Sequence, residues 1–321
     1  MNHAMNQPLI EIKGLKRHFT IDKGKTLHAV DGVNLSLHQN EVVGLVGESG
    51  CGKSTLGRTI VGLYEKTSGE VFYKGEKLPS RYGAKDFRRL SREIQMIFQD
   101  PYSSLNPRMT VREIIAEGPL LHGLWTNHNM VANVGNWLRR VGLDPEHMSR
   151  YPHEFSGGQR QRIGIARALA LQPKVVICDE PISALDVSVQ AQVVNLLEEL
   201  KDSMGLTVLF IAHDLSMVRY VSDRMAVMYL GSLVELGPSN DVYFRPLHPY
   251  TQSLVASNPE PDPIHEQSRE HVVLKGEVPS PVNLKPGCRF AGRCPKAVAA
   301  CQTVTPQMRP VGASQVACHL Y

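Results

Sequence analysis

Apolar positions along this chain follow two different rhythms. Leu9–Phe19 is rich in strand-forming residues, and in Val30–Leu37 the apolar Val33, Leu35 and Leu37 alternate with polar neighbours. A two-residue period predicts half-buried strands. Glu41–Val46 reads as a short apolar strand running into a glycine-rich turn, with a helix from about Lys53. Val175–Cys178 and Thr207–Ile211 are apolar throughout, the texture of parallel strands covered on both faces. Helices are expected at 159–171 and 188–203, and helical segments broken by Pro and Gly, including Val131–Val141, fill 105–150. Strands alternating with helices predict an α/β fold with a parallel-sheet core and a helical insertion. Beyond about residue 240, Pro246, Pro249, Pro259, Pro261 and Pro263 predict a linker, followed by a small cysteine-containing tail. The expected division is therefore 1–245 and 246–321.

Composition changes this picture little. Of 321 residues, 42% are hydrophobic and 21% charged, which suits a globular chain with a core. The net charge of +4 and the lack of a Lys/Arg block give no footprint for nucleic acid. No run approaches the roughly 18 apolar residues that cross a bilayer, and Met1–Pro8 has no secretory pattern. The chain is expected in the cytosol, reaching a membrane only through a partner.

Three stretches carry chemistry. Gly47-Glu-Ser-Gly-Cys-Gly-Lys-Ser54 fits G-x-x-x-x-G-K-[ST] between an expected strand and an expected helix. Glycines 47, 50 and 52, with Ser49 and Cys51, let backbone amides face phosphate oxygens. Lys53 supplies a point charge, the Ser54 hydroxyl can ligate Mg²⁺, and with Thr55 these residues open the helix, whose positive dipole end attracts anions. The second stretch, Val175–Glu180, is an apolar strand ending in two carboxylates. Asp179 is placed to hold a Mg²⁺ shell and Glu180 to polarise an attacking water; an ordinary strand exit with solvated acids is the plainer alternative. The third is Phe155-Ser-Gly-Gly-Gln159 before a helix-like run, in which Ser156 is a good N-cap and Gly157 and Gly158 admit an anion. One ATP does not need two such cradles in one subunit, so this one is expected to serve a nucleotide held by another.

Here the sequence resembles the ABC ATPase family, and further motifs arrive in the family's order. Gln99, in Met96-Ile-Phe-Gln-Asp-Pro, is similar to the glutamine that touches Mg²⁺ and the transmembrane partner. Ser183-Ala-Leu-Asp186 resembles the loop that contacts the opposite subunit, and His213 resembles the histidine that contacts the γ-phosphate. Phe19 stands where the family usually stacks a tyrosine on adenine. The resemblance implies a P-loop ABC ATPase fold: a parallel-sheet core, an N-terminal antiparallel β-subdomain, a helical subdomain at about 105–170 and a C-terminal extension. ATP and Mg²⁺ are the implied ligands.

Finer stretches resemble the peptide-importer branch, which includes oligopeptide, dipeptide and nickel uptake systems. These are Phe98-Gln-Asp-Pro-Tyr-Ser-Ser-Leu-Asn-Pro-Arg108, Arg150-Tyr-Pro-His-Glu-Phe-Ser-Gly-Gly, Asp186-Val-Ser-Val-Gln-Ala-Gln and Leu247-His-Pro-Tyr-Thr251. The whole is most similar to the F-type ATPases of oligopeptide importers. That implies a heterodimer with a D-type ATPase, two transmembrane permease subunits and an extracytoplasmic binding protein, with this chain peripheral at the cytoplasmic face of the membrane. Rival readings are a soluble ABC ATPase acting on ribosome or DNA, and a redox protein.

Six cysteines occur, and four of them, Cys288, Cys294, Cys301 and Cys318, follow C-x5-C-x6-C-x16-C. Four thiolates in a short tail suit a tetrahedral zinc or a [4Fe–4S] cluster, and the spacing does not choose between them. The resemblance favours the cluster, because peptide-importer ATPases carry a similar cysteine set associated with one. Four reduced, partly buried cysteines are the plainer alternative, and His319 is expected to be a bystander.

Overall fold

A computed structural model describes residues 7–257 and 279–321. Its strands are β1 (Ile10–Asp22), β2 (Lys25–Leu37), β3 (Val42–Val46), β4 (Ser68–Tyr73), β5 (Glu76–Lys77), β6 (Ile94–Ile97), β7 (Val175–Asp179), β8 (Thr207–Ile211), β9 (Arg224–Tyr229), β10 (Ser232–Pro238), β11 (Arg309–Val311) and β12 (Ser314–Val316). The α-helices are α1 (Lys53–Ile60), α2 (Ala84–Glu93), α3 (Pro101–Ser104), α4 (Val111–Leu121), α5 (Met130–Arg140), α6 (Gly157–Leu169), α7 (Val187–Met204), α8 (Leu215–Val221), α9 (Ser239–Phe244) and α10 (Pro249–Ala256). The chain divides into two compact units, 1–81 with 210–321 and 82–209, the division falling inside β8.

In the first unit, β1 pairs antiparallel with β2 and β4, and β5 extends β4, giving the order β2-β1-β4-β5. Alternation along β1 and β2 buries Ile10, Ile12, Leu15, Val33, Leu35 and Leu37 on one face, as the period-two pattern requires. Elsewhere in this unit β3 runs parallel to β9, and β9, β10, β12 and β11 follow as antiparallel neighbours. All five residues of β3 are buried, which explains its unbroken apolar run. The cysteine tail is thus joined to this unit by main-chain pairing, Glu235 standing opposite Val316.

The prolines near 246 mark something other than a linker. Pro249 opens α10 at its first position, and the His248 ring Nδ1 accepts the Tyr250 N–H as N-cap. Proline costs nothing there, because that helix position has no intrahelical hydrogen bond to lose. Glu235, fully buried on β10, accepts the N–H groups of Leu247 and His248. Pro259, Pro261 and Pro263 lie outside the described residues.

In the second unit, β6 and β7 pair in parallel. The expected helical segments resolve into α4, α5 and α6, which bury Val111, Ile114, Ile115, Val134, Leu138, Ile163 and Ala166. Thr110 and Glu113 form a capping box at the start of α4, satisfying two otherwise open amides.

Candidate nucleotide-binding site

The two units contribute separate groups of functional side chains. In the first, β3 delivers the chain to Gly47, whose φ of 153° and whose 2.2 Å gap between a hypothetical Cβ and the Met228 carbonyl leave no room for a side chain. Gly52 is tighter still, with φ of 109° and a hypothetical Cβ 1.9 Å from the Ala29 carbonyl. Both glycines are demanded by conformation and by crowding. Between them the loop turns past Ser49, Gly50 and Cys51 into α1. There Lys53, Ser54 and Thr55 open the helix, whose positive dipole end favours an anion.

Lys53 is 4% exposed, and its ammonium donates to the carbonyls of Gly47 (2.8 Å) and Glu48 (3.2 Å). Its charge is therefore aimed across the loop mouth. Cys51 is buried, and its carbonyl accepts from Gly231 at 2.8 Å, so it contributes through its backbone and not its thiol. Phe19 is half-buried on β1, with the Arg17 guanidinium 4.2 Å above its ring and Tyr64 edge-on at 5.5 Å. His213 is exposed directly after β8 and Ala212, ahead of α8, whose N-cap Asp214 accepts the Met217 N–H at 3.1 Å.

In the second unit, β7 buries Asp179 completely and then turns sharply at Glu180, which has φ of 46°. A non-glycine residue in that region stores about 1–3 kcal/mol, the kind of strain that recurs at functional positions. The turn brings the Glu180 carboxylate to Gln99, whose side-chain amide donates to it at 2.9 Å. Two residues 81 positions apart, read separately as base and glutamine, are thus hydrogen-bonded neighbours. Cys178 is buried beside them and its thiol is pushed up to about 12, chiefly by burial, so it is an inert apolar filler.

At α6, Ser156 caps the helix: its Oγ accepts the Gln159 N–H at 3.3 Å while Gln159 Oε1 accepts the Ser156 N–H at 3.0 Å. Ser156 itself is exposed. Gly157 has ordinary clearance, whereas a Cβ on Gly158 would meet Val189 of α7 at 2.4 Å. The second glycine therefore also answers to helix packing. Asp186 is exposed at the head of α7.

Two supports, one inside a motif stretch and one just after another, carry no mark in the sequence. Gln190 donates to the carbonyls of Ile182 and Leu185 and so braces the turn leading to Asp186. Arg160 donates to Pro152 and His153 and lies 3.6 Å over the Tyr102 ring, tying the signature helix to two of the branch-specific stretches.

In the tail, Cys301 is buried and Cys288, Cys294 and Cys318 are partly buried, with the Cys288 N–H bonded to the Cys301 carbonyl at 2.8 Å. Burial raises the thiols of Cys288, Cys294 and Cys318, and the mutual fields of the four sulfurs add to this. The four thiols therefore lie near enough to act on one another electrostatically. His319 hydrogen-bonds to the Val304 carbonyl through Nε2 at 2.8 Å. A separate group, His18, His28 and Asp31, sits within ligating distance of a common point. Asp31, however, is already paired with Arg289 and Lys16. Burial opposes its ionisation, but Arg289 foremost, then His18 and Lys16, hold its carboxyl down to about 2. A cation there would face two cationic side chains.

A phosphate loop after a buried parallel strand, an acidic strand end and a second capped glycine start define an ATP-binding cassette. The ABC transporter family matches residues 30–183, and the oligopeptide/dipeptide transporter C-terminal region matches residues 234–301. The putative oligopeptide transport ATP-binding protein YkfD of Bacillus subtilis is 56% identical, over 98% of this chain and 96% of its own length. The oligopeptide transport ATP-binding protein OppF of Escherichia coli is 52% identical, over 97% and 95%. Among solved structures, cbiO1 of Clostridium perfringens, part of an ABC transporter complex, superposes with a TM-score of 0.65 at 27% identity, covering 74% of this chain and 91% of its own. A dimeric ATP-binding cassette bound to ADP and Pi superposes at 0.66 with 27% identity, covering 72% and 98%. This chain belongs to the ATP-binding subunits of ABC transporters, in the branch carrying the oligopeptide-type C-terminal region, and it is an ATPase. None of these likenesses points to a ribosome or DNA.

Proposed function

We propose that this chain powers an importer of oligopeptides, working face to face with a related D-type ATPase beneath two permease subunits fed by an extracytoplasmic binding protein. The observation that carries this reading is the presence of two glycine-rich helix starts, one tied down around Lys53 and the other presenting an exposed Ser156. Each ATP is sandwiched between the first of one subunit and the second of its partner. The curated relatives, named for oligopeptide transport across nearly their whole length, supply the substrate class. Among the described residues no helix is long and apolar enough to cross a membrane, which suits a peripheral subunit at the cytoplasmic face.

The amides from Gly50 to Thr55 and the Lys53 ammonium hold the β- and γ-phosphates while Phe19 packs against adenine. Ser54, Gln99 and Asp179 would hold Mg²⁺ through oxygen atoms, the ligands it prefers, and the ion would neutralise charge on the phosphates. Glu180 takes the proton of the attacking water as that water's oxygen bonds to the γ-phosphorus and ADP leaves. The Gln99 hydrogen bond keeps that carboxylate in place. His213 contacts the γ-phosphate. Ser156, Gly157, Gly158 and Gln159 close over the partner's nucleotide, and Asp186 meets the opposite subunit.

The four tail cysteines are the proposed ligands of a [4Fe–4S] cluster, which the resemblance to peptide-importer ATPases favours over zinc. The cluster would be structural, linking the tail's turns.

In proteoliposomes holding the assembled transporter, peptide-loaded binding protein should stimulate ATP hydrolysis and peptide uptake together. Stimulation by a non-peptide solute alone would overturn the substrate class. Anaerobically purified complex should show iron–sulfur absorbance, and stoichiometric zinc without iron would overturn the cluster.

A further inference from the structure

Glu48, the first variable residue of the phosphate loop, is held by side chains from far along the chain. Its carboxylate receives both terminal nitrogens of Arg293, Nη1 to Oε2 at 2.9 Å and Nη2 to Oε1 at 3.0 Å. Its backbone N–H donates to the Tyr250 hydroxyl at 2.9 Å. The support behind these contacts is rigid: Tyr250 is fully buried and packs against Tyr229 at 4.6 Å and Phe290 at 5.5 Å. Meanwhile the Glu48 carbonyl accepts from Lys53 and from the Cys51 amide, so wherever Glu48 sits, the loop and its lysine follow.

The ion pair has the geometry in which such pairs matter. It is a two-pronged fork on a carboxylate, and the side chains are 8% and 22% exposed, so solvent screens it less than a surface pair. Its location adds a second consequence. Without the guanidinium, a bare carboxylate would stand at the mouth of a cradle meant for a polyanion, and like charges there repel the nucleotide. Arg293 also lies in the tail itself, immediately before Cys294 and five residues after Cys288, so the cysteine region reaches the phosphate loop through this side chain.

We infer that Arg293, seconded by Tyr250, is a positioning residue for ATP binding: the C-terminal extension clamps and neutralises Glu48, and so sets the phosphate loop. The inference rests on reading that loop as the ATP cradle. Because coupling between two sites is reciprocal, ATP should in turn protect the 288–294 segment against proteolysis or thiol alkylation.

The test is titration of Mg-ATP against the full-length chain by calorimetry, together with the KM and kcat of ATP hydrolysis in the assembled transporter. Arg293→Ala should raise Kd and KM by roughly ten-fold, within the usual range of such couplings, with kcat changed far less. Adding Glu48→Gln to Arg293→Ala should recover part of that loss, because the stranded anion is gone; a merely structural arginine would show no such recovery. If Arg293→Ala does not fold, Arg293→Lys and Tyr250→Phe are read in the same way. Kd and KM within two-fold of the parent in the folded variants would overturn the inference. Lys53→Ala serves as control: if it binds ATP normally, the cradle reading itself falls, and if it alone loses binding, only the role of Arg293 falls.

Discussion

At Gly47–Thr55 two glycines, Gly47 and Gly52, answer to backbone crowding, and the loop is moored to side chains as far as 245 positions along the chain. At Ser156–Gln159 the serine and glutamine bond to each other three residues apart, and a Cβ on the first glycine would make only ordinary contact. Both stretches are helix starts able to take an anion, yet one is moored by residues far along its chain and the other is capped locally and presents an exposed serine. A cradle that must hold a triphosphate before any partner arrives needs its amides set in advance, and distant supports supply that. A helix tip that closes onto a nucleotide from outside needs only to be well capped and accessible.

The largest effect should fall at Glu180, whose carboxylate Gln99 holds. Glu180→Gln should lower kcat in the assembled complex by about 10²–10⁴-fold, the span typical of a lost general base, while Mg-ATP binding persists. Near-normal turnover by that variant would mean that the two helix starts organise hydrolysis without this carboxylate, and the assignment of the base would fail.

A pair of alanine substitutions sets the two starts directly against each other. Gly52→Ala places a Cβ against the Ala29 carbonyl at a φ of 109° and should cost about 3 kcal/mol or more, or prevent folding. Gly157→Ala meets only Leu185 at 3.5 Å and should cost under about 1 kcal/mol. Urea unfolding of the full-length chain reads both, and equal costs would erase the distinction drawn between them.

The same contrast decides what the sequence could reveal. Phosphate contacts come from the amides of successive residues, so Gly47–Ser54 and Ser156–Gln159 appear as contiguous motifs. The buried strands were legible because an unbroken apolar run such as Val42–Val46 has few other uses. The supports were not legible. Arg293 and Glu48 share no local period, and a pair joined only by folding leaves no mark in either segment. The sharp turn at Glu180 was equally hidden, since glutamate is no marker of left-handed backbone. Pro249 misled because the same residue that ends one helix is welcome at the first position of the next. Gln190 stood inside a stretch identified by resemblance and Arg160 directly after one, but their role as braces is visible only once their carbonyl partners are in place.

The mooring of the phosphate loop should also be the more acid-sensitive of the two. His248 caps the helix that carries Tyr250, and burial holds its imidazole down to about 4 from the ordinary 6.5. Between those values the unfolded chain binds a proton that the folded chain refuses. Stability from this residue is therefore intact above about pH 6.5 and lost on descending to about pH 4, by up to about 3 kcal/mol. His248→Asn keeps a capping oxygen and cannot titrate, so its stability should fall less steeply over that window. Parallel pH profiles of parent and variant would show that His248 is not the titrating group.

The smallest effect separates capping from nucleotide closure at the signature helix. Ser156→Ala removes the hydroxyl that accepts the Gln159 N–H and should cost about 1 kcal/mol of stability. On the proposal that Ser156 serves a nucleotide held by another subunit, the isolated chain should bind Mg-ATP as tightly as before, while the assembled complex hydrolyses it more slowly. Arg293→Ala should show the converse, weakened binding already in the isolated chain. If Ser156→Ala weakened ATP binding by the isolated chain, the exposed helix tip would belong to the same subunit's nucleotide, and the division of labour between the two glycine-rich starts would be lost.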